Sequence, residues 1–431
     1  MKVFEKKQFL KGDGILTAYS LFGIRILSIS RTVRMVRYYL VGLRVFSKRS
    51  KINDKNGTGA LLRKLGNGGD SVPVVWIDHS LGGGTEVYSR RQIENLRQEN
   101  TVVKIQYFWR QKQNVAFVIE KDCVDFYFLE SDSDIEVLLS NIRFEMVVVN
   151  SVVGFERPLE ILRMLGHLRT VKKFWVRFNL HDYHSICPNF NLMCKGEKYC
   201  ELDFSKCRDC FSYIVREQIL VPRFLSGVGR LELWRKSWLT FLSDTCDQIV
   251  AFSNSSKNIF TKIYPIIASK IDVFPHVVPH LRSVKIKEHC GLNVAFLGSI
   301  YSDPKGRSIV KNLVLSNSRK EIKFFVIGDF VDPPDELVVV GKYEIKDLPD
   351  IIEERMIDLI IIPSICPETF SYTTSEAMQL NIPVACFDIG AQAEKVKCYG
   401  KKIIFTSTDP KLMLREIGEY FCLYEEAGEL K

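Results

Sequence analysis

The sequence lacks any apolar run long enough to cross a bilayer. Its longest, Gly14 to Ile24, is ended by Arg25, short of the ~20 residues that a spanning helix needs. No small-residue cleavage site follows, so no signal peptide is expected. Low-complexity tracts and solenoid repeats are also missing, which argues against a disordered chain or a repeat array. Net charge is scarce over most of the length. The total is +9, yet residues 1–51 carry +10 (twelve Lys/Arg against Glu5 and Asp13), leaving −1 for the rest. A nucleic-acid-binding body would spread basic and aromatic residues over its surface, so nucleic acid is not an expected partner.

The 431 residues, 46% hydrophobic and 26% charged, suit a globular protein of two domains. The basic N-terminal arm, residues 1–70, stands apart from them. Arg31, Arg34, Arg37, Arg44 and Lys48 share one side of a helix at about 100° per residue, opposite Ile, Leu and Val. That pattern predicts an amphipathic helix lying on an anionic membrane surface through residues 1–51, or packed on the body with its charges solvated.

Short apolar runs alternate with helical patterns from Val72 onward. Strands are expected at Val72–Ile77, Val102–Trp109, Met146–Val152, Phe174–Leu180 and Gln248–Phe252. After a linker near Ser283–His289 they resume at Leu292–Gly298, Ile322–Gly328, Leu337–Val340, Leu359–Pro363, Val384–Phe387 and Lys402–Thr406. Alternation of this kind predicts an α/β fold of two Rossmann-like, doubly wound domains, 71–282 and 283–431, facing a cleft. Ligands in such sheets sit at the carboxyl ends of the strands.

The most specific segment is Pro363-Ser-Ile-Cys-Pro-Glu-Thr-Phe-Ser-Tyr-Thr-Thr-Ser-Glu-Ala-Met378. A buried strand ends at Pro363, a loop carries Glu368, and a helix begins near Ser371. Free N–H groups of Ser371, Tyr372, Thr373 and Thr374, with the helix dipole, make an anion site suited to a diphosphate. Glu376 is placed to accept from a ribose diol, and Glu368 to hold hydroxyls of a transferred sugar.

This E-x7-E arrangement, with Thr-Phe-Ser after the first Glu and Glu-Ala before a Pro-Val strand, resembles the family-4 retaining glycosyltransferases, whose architecture is called GT-B. The resemblance spans roughly Val72 to Met413. It implies a nucleoside diphosphate sugar as donor, no catalytic metal, Glu368 on the donor sugar and Glu376 on the ribose. In Asp303-Pro-Lys-Gly-Arg307 it implies Lys305 on the diphosphate, where a cation offsets charge on the leaving group. Many members carry Arg shortly after the preceding strand's glycine. Ser299 stands there in this chain, with Arg307 a substitute or a solvated helix residue. Gly390 and Glu394 would line the donor pocket.

In the N-terminal half, Gly82-Gly83-Gly84 opens a helix after the first strand, so Gly83 and Gly84 are candidates for close backbone approach to phosphates. The bland reading is a tight βα turn. His181 ends the strand Phe174–Leu180 and by the resemblance touches the transferred sugar, with His184 a lesser candidate. Cys187, Cys200, Cys207 and Cys210 have the spacing C-x12-C-x6-C-x2-C within the insertion 186–212. That predicts a closed, structural zinc site in a reducing compartment, with Cys194 a bystander; reduced, metal-free thiols are the alternative. A subgroup of family-4 enzymes from bacterial surface-polysaccharide pathways looks similar there. The resemblance thus implies a glycan or polyprenyl-diphosphate-linked acceptor, as in O-antigen synthesis, at the cytoplasmic face of the membrane. A sugar-nucleotide epimerase or a phosphorylase would share the fold.

Overall fold

The computed structural model describes residues 57–66, 72–195, 198–210, 213, 220, 230–319 and 321–423, and the backbone of five N-terminal strands. Those strands are β1 (Phe4–Lys11), β2 (Gly14–Leu21), β3 (Ile24–Thr32), β4 (Met35–Leu40) and β5 (Leu43–Arg49), paired antiparallel in chain order. The amphipathic helix expected in the arm is therefore not formed. Two residues separate each strand from the next, and three of the four gaps contain glycine (Gly12, Gly23, Gly42). Such gaps between β-branched and aromatic runs are hairpin signals, and they outweigh the helical spacing of the charges. Among the described residues no helix is long and apolar enough to cross a membrane.

The first Rossmann-like half is built on eight strands: β6 (Val74–His79), β7 (Val102–Phe108), β8 (Gln113–Ile119), β9 (Val124–Leu129), β10 (Met146–Val149), β11 (Trp175–Asn179), β14 (Gln248–Ala251) and β15 (Ile271–Val273). Their order is β15-β14-β11-β10-β6-β7-β8-β9. All pairs are parallel except those made by β8. Strand β6 is buried throughout, as is β7; β6 opens as a nearly continuous apolar run for that reason, while β7 buries Lys104 and Gln106 among its apolar residues. The β8–β9 hairpin was not expected, because its short return breaks the β/α alternation. Helices α1 (Thr58–Gly66), α2 (Gly83–Leu96), α3 (Asp132–Asn141), α4 (Pro158–Val171), α5 (Arg230–Thr240) and α6 (Asn254–Ile263) also belong to this stretch of chain. Leu61 of α1 is fully buried in its core. A small ribbon pairs β12 (Met193–Cys194) with β13 (Lys198–Tyr199); Cys194 ends its first strand and Cys200 follows its second.

The second half holds β16 (Leu292–Leu297), β17 (Ile322–Ile327), β18 (Leu337–Gly341), β19 (Leu359–Ile362), β20 (Val384–Phe387) and β21 (Lys402–Phe405) in a parallel sheet of order β18-β17-β16-β19-β20-β21. All six expected strands are present. Helices α7 (Arg307–Ser316), α8 (Leu348–Glu354), α9 (Tyr372–Gln379), α10 (Gly390–Lys397) and α11 (Pro410–Tyr420) accompany them, and apolar clusters cover both faces. The order reverses between β16 and β19, so the crevice at their carboxyl ends is where a ligand belongs. The linker is not loosely solvated: Leu281 and Val284 are buried in this half, and Gln379 bonds Leu281 N and Pro279 O at 2.9 and 3.0 Å.

Contacts join the halves beside the cleft. Thr369 Oγ1 donates to His181 O at 3.0 Å. The Glu394 carboxylate accepts from Asn254 N at 3.1 Å and from Ser255 N, at the positive end of α6. Glu394 thus ties the halves together rather than facing the donor pocket.

Candidate active site

Between the halves lies a cleft of about 1080 Å³. The loops after β6, β11, β16 and β19 all reach it. Nine of the residues singled out in the sequence line it: Gly83, Gly84, His181, Lys305, Arg307, Glu368, Ser371, Tyr372 and Thr373. Two do not. Thr374 is fully buried behind the helix start, its hydroxyl 2.7 Å from that of Ser371, and Glu376 is 4% exposed one turn into α9.

Lys305 Nζ donates to Glu368 Oε1 at 2.6 Å, and Ser364 Oγ reaches the same oxygen at 2.6 Å. Burial alone would raise the Glu368 carboxyl; the Lys305 charge and hydrogen bonds from Lys305, Ser364 and Ser371 override it and hold the group at about 2. Burial lowers the Lys305 ammonium, but Glu368 more than compensates and its value is raised. Both groups are therefore charged at neutral pH. Lys305 remains 40% exposed, so its charge is available to a ligand. Arg307 opens α7 and lies 3.5 Å from Asp303, one part of its charge already answered.

The start of α9 is held in an unusual conformation. Ser371 has φ 60 and ψ 89, a left-handed geometry that a non-glycine residue adopts only when its surroundings impose it. Lys395 imposes it: Nζ bonds the carbonyls of Phe370 and Ser371 and the Ser375 hydroxyl, and lies 3.3 Å over the Phe370 ring. Burial brings Lys395 down to about 8. Nothing along the chain marks this residue, which looks like any helix lysine.

Across the cleft, α2 begins at Gly83 with no side-chain cap, so its first N–H groups are free donors. A Cβ on Gly84 would lie 3.1 Å from Tyr372 Cε2; glycine lets the starts of α2 and α9 approach one another. His181 Nε2 is 2.9 Å from Asn150 Oδ1. His276, which follows β15 and carries no local signal in the sequence, stacks on Tyr88 at 4.7 Å and on Phe370 at 4.5 Å. It joins the aromatic residues of the two halves, and both ring nitrogens lack a partner. His184 is a core residue instead: it is 2% exposed, packs on Trp234 at 4.8 Å, and burial takes it down to about 3.

Glu376 yields a pH prediction. Burial raises its carboxyl to about 7, against lowering by the Tyr343 hydroxyl and by Arg91 and Lys395. Between its ordinary value and 7 the folded chain holds a proton that the unfolded chain has released, so this group withdraws stability as pH rises through that window. Glu376→Gln is expected to remove that loss, by up to about 3 kcal/mol. Thermal melts of both proteins at pH 5 and pH 8 check it; equal differences at the two values would refute it.

The cysteines do not form the expected metal site. Cys187, Cys194, Cys200, Cys207 and Cys210 line one small cavity of about 30 Å³ and all are free. Among the described residues, however, no group of three or more His, Cys, Asp or Glu is arranged to hold a metal ion. Burial pushes Cys187 up to about 12 and Cys210 to about 11, which keeps these two thiols protonated in the metal-free protein. The Lys195 N–H donates to Cys210 Sγ at 3.3 Å and Arg235 to Cys207 Sγ at 3.5 Å.

No family model and no curated protein matches the chain. Solved structures do. Anabaena Alr3699/HepE in complex with UDP-glucose superposes with a TM-score of 0.51 at 12% identity, over 81% of this chain and 90% of that one. Sucrose-phosphate synthase from Thermosynechococcus elongatus gives a TM-score of 0.52 at 12% identity, again over 81% and 90%. At such identities the likeness concerns the fold, and with the two facing sheets it shows that this chain has the GT-B architecture.

Proposed function

We propose that the protein is a retaining glycosyltransferase that moves a sugar from a nucleoside diphosphate to a hydroxyl. The observation that carries this reading is the Lys305–Glu368 pair, 2.6 Å apart, set on the cleft at the reversal of strand order beside the start of α9. One charge suits a diphosphate and the other suits sugar hydroxyls. The UDP and UDP-glucose complexes of Anabaena HepE support a nucleotide sugar as donor.

In the reaction, the bond from the anomeric carbon to the diphosphate oxygen breaks. The acceptor oxygen bonds to that carbon on the same face, and its proton passes to the departing diphosphate. Lys305 and the free N–H groups of Ser371, Tyr372 and Thr373 stabilise the charge that develops on the leaving group. Glu368 and His181 orient the sugar. A glycan acceptor on a polyprenyl diphosphate, met at the inner face of the membrane, suits the +10 carried by residues 1–51, which an anionic surface attracts.

Saturation-transfer NMR with UDP-, GDP-, ADP- and dTDP-sugars tests the reading. One sugar nucleotide is expected to bind wild type, and to bind Lys305→Met about tenfold more weakly, the effect of losing one charge-assisted contact. A folded protein that binds none of them is not a glycosyltransferase of this kind.

A further inference from the structure

Beneath the cleft a line of buried polar side chains crosses four adjacent strands. Lys104 on β7 lies 3.4 Å from the Asp78 carboxylate on β6. Asn150, at the end of β10, donates from Nδ2 to Asp78 Oδ1 at 3.1 Å. Asn179 on β11 donates from Nδ2 to Asn150 Oδ1 at 2.9 Å, and its own Oδ1 accepts from Arg177 Nε at 3.1 Å. Asp78, Asn150 and Asn179 are each at most 1% exposed.

The two ends fix the direction of every bond between them. A carboxylate only accepts and a guanidinium only donates. Asn150 must therefore turn its amide N–H toward Asp78, and Asn179 must turn its carbonyl toward Arg177. Asn150 Oδ1 is left as an acceptor, and the second atom it faces is His181 Nε2, at 2.9 Å.

We infer that this line holds His181 as its Nε2–H tautomer and presents a bare Nδ1 to the cleft, so that the sugar bound there must donate a hydroxyl to it. Among the described residues nothing hydrogen-bonds Nδ1, and His181 lines the cleft. Burial, with the neighbouring His276, His79 and Arg177, holds the imidazole well below its ordinary value, so the ring is neutral. Asn150 and Asp78 are positioning residues, since they act through His181. The sugar half of the inference rests on the nucleotide-sugar reading; the tautomer half does not.

Long-range ¹H–¹⁵N imidazole spectra of the full chain at pH 7.5, assigned by the signal lost in His181→Gln, test the tautomer. Wild type is expected to show Nε2–H alone. Asn150→Ala is expected to add the Nδ1–H form, as is the double variant Lys104→Met with Asp78→Asn, which removes both charges together. An Nδ1–H ring in wild type, or spectra unchanged in both variants, would overturn the relay. With the donor found by the sugar-nucleotide scan, Asn150→Ala should raise KM about tenfold while the Kd of the bare nucleoside diphosphate stays the same. An unchanged KM would overturn the sugar half. If no sugar nucleotide binds, that half fails together with the functional reading, while the spectra still decide the relay.

Discussion

Glu368→Gln is expected to lower kcat about a thousandfold, the scale of losing one preorganised electrostatic contact at a reacting centre, while nucleoside diphosphate binding changes little. Glutamine keeps the volume and the hydrogen bond to Ser364 but removes the charge. Two consequences follow from the geometry. The sugar loses an acceptor at the cleft, and Lys305, 2.6 Å away, loses the partner that directs its ammonium group. Because both effects pass through one pair, Glu368→Gln combined with Lys305→Met should cost far less than the two separate losses multiplied together. Steady-state rates for the four proteins give that cycle. Activity within tenfold of wild type in Glu368→Gln would make the pair an ordinary ion pair and remove the observation on which the function rests.

Gly306→Ala is expected to cost about 3 kcal/mol or more, through backbone strain and a clash together. Gly306 has φ +85, and a Cβ there would sit 2.1 Å from the Pro363 carbonyl oxygen. Pro363 follows β19 and Gly306 caps α7, so the substitution would force apart the loops that bring Lys305 to Glu368. Loss of sugar-nucleotide binding should therefore accompany a melting temperature lowered by several degrees. Gly400→Ala is the control, since no atom lies within 4 Å of its added Cβ; its melt should match wild type. Equal melts for the two variants would show that the loops adjust without cost.

Much of the architecture was legible because buried parallel strands leave a plain record. A strand covered on both faces is mostly apolar, and β6, β16, β19 and β20 read that way. The hairpin β8–β9 and the N-terminal strands were not recovered. In the first case an antiparallel return interrupts the β/α rhythm; in the second, charges at helical spacing obscured turn-length gaps. The E-x7-E segment marked the loop that brings Glu368 to the cleft, yet it could not show that Glu376 is buried beside Tyr343.

By itself the sequence determined the two α/β halves, the strand ends that carry Lys305, Glu368 and His181, and the concentration of positive charge in the first 51 residues. These depend on local order, which the chain records directly. Only the tertiary structure decided which distant groups meet. It placed Lys305 against Glu368 across 63 positions, set Lys395 under the strained Ser371, stacked His276 between the halves, and aligned Asp78, Asn150 and Asn179 beneath His181. It also drew the five thiols around one cavity without a metal geometry. The reason is physical: a hydrogen bond or ion pair depends on ångström-scale separation and direction, and those are set by the packing of sheets and helices rather than by spacing along the chain.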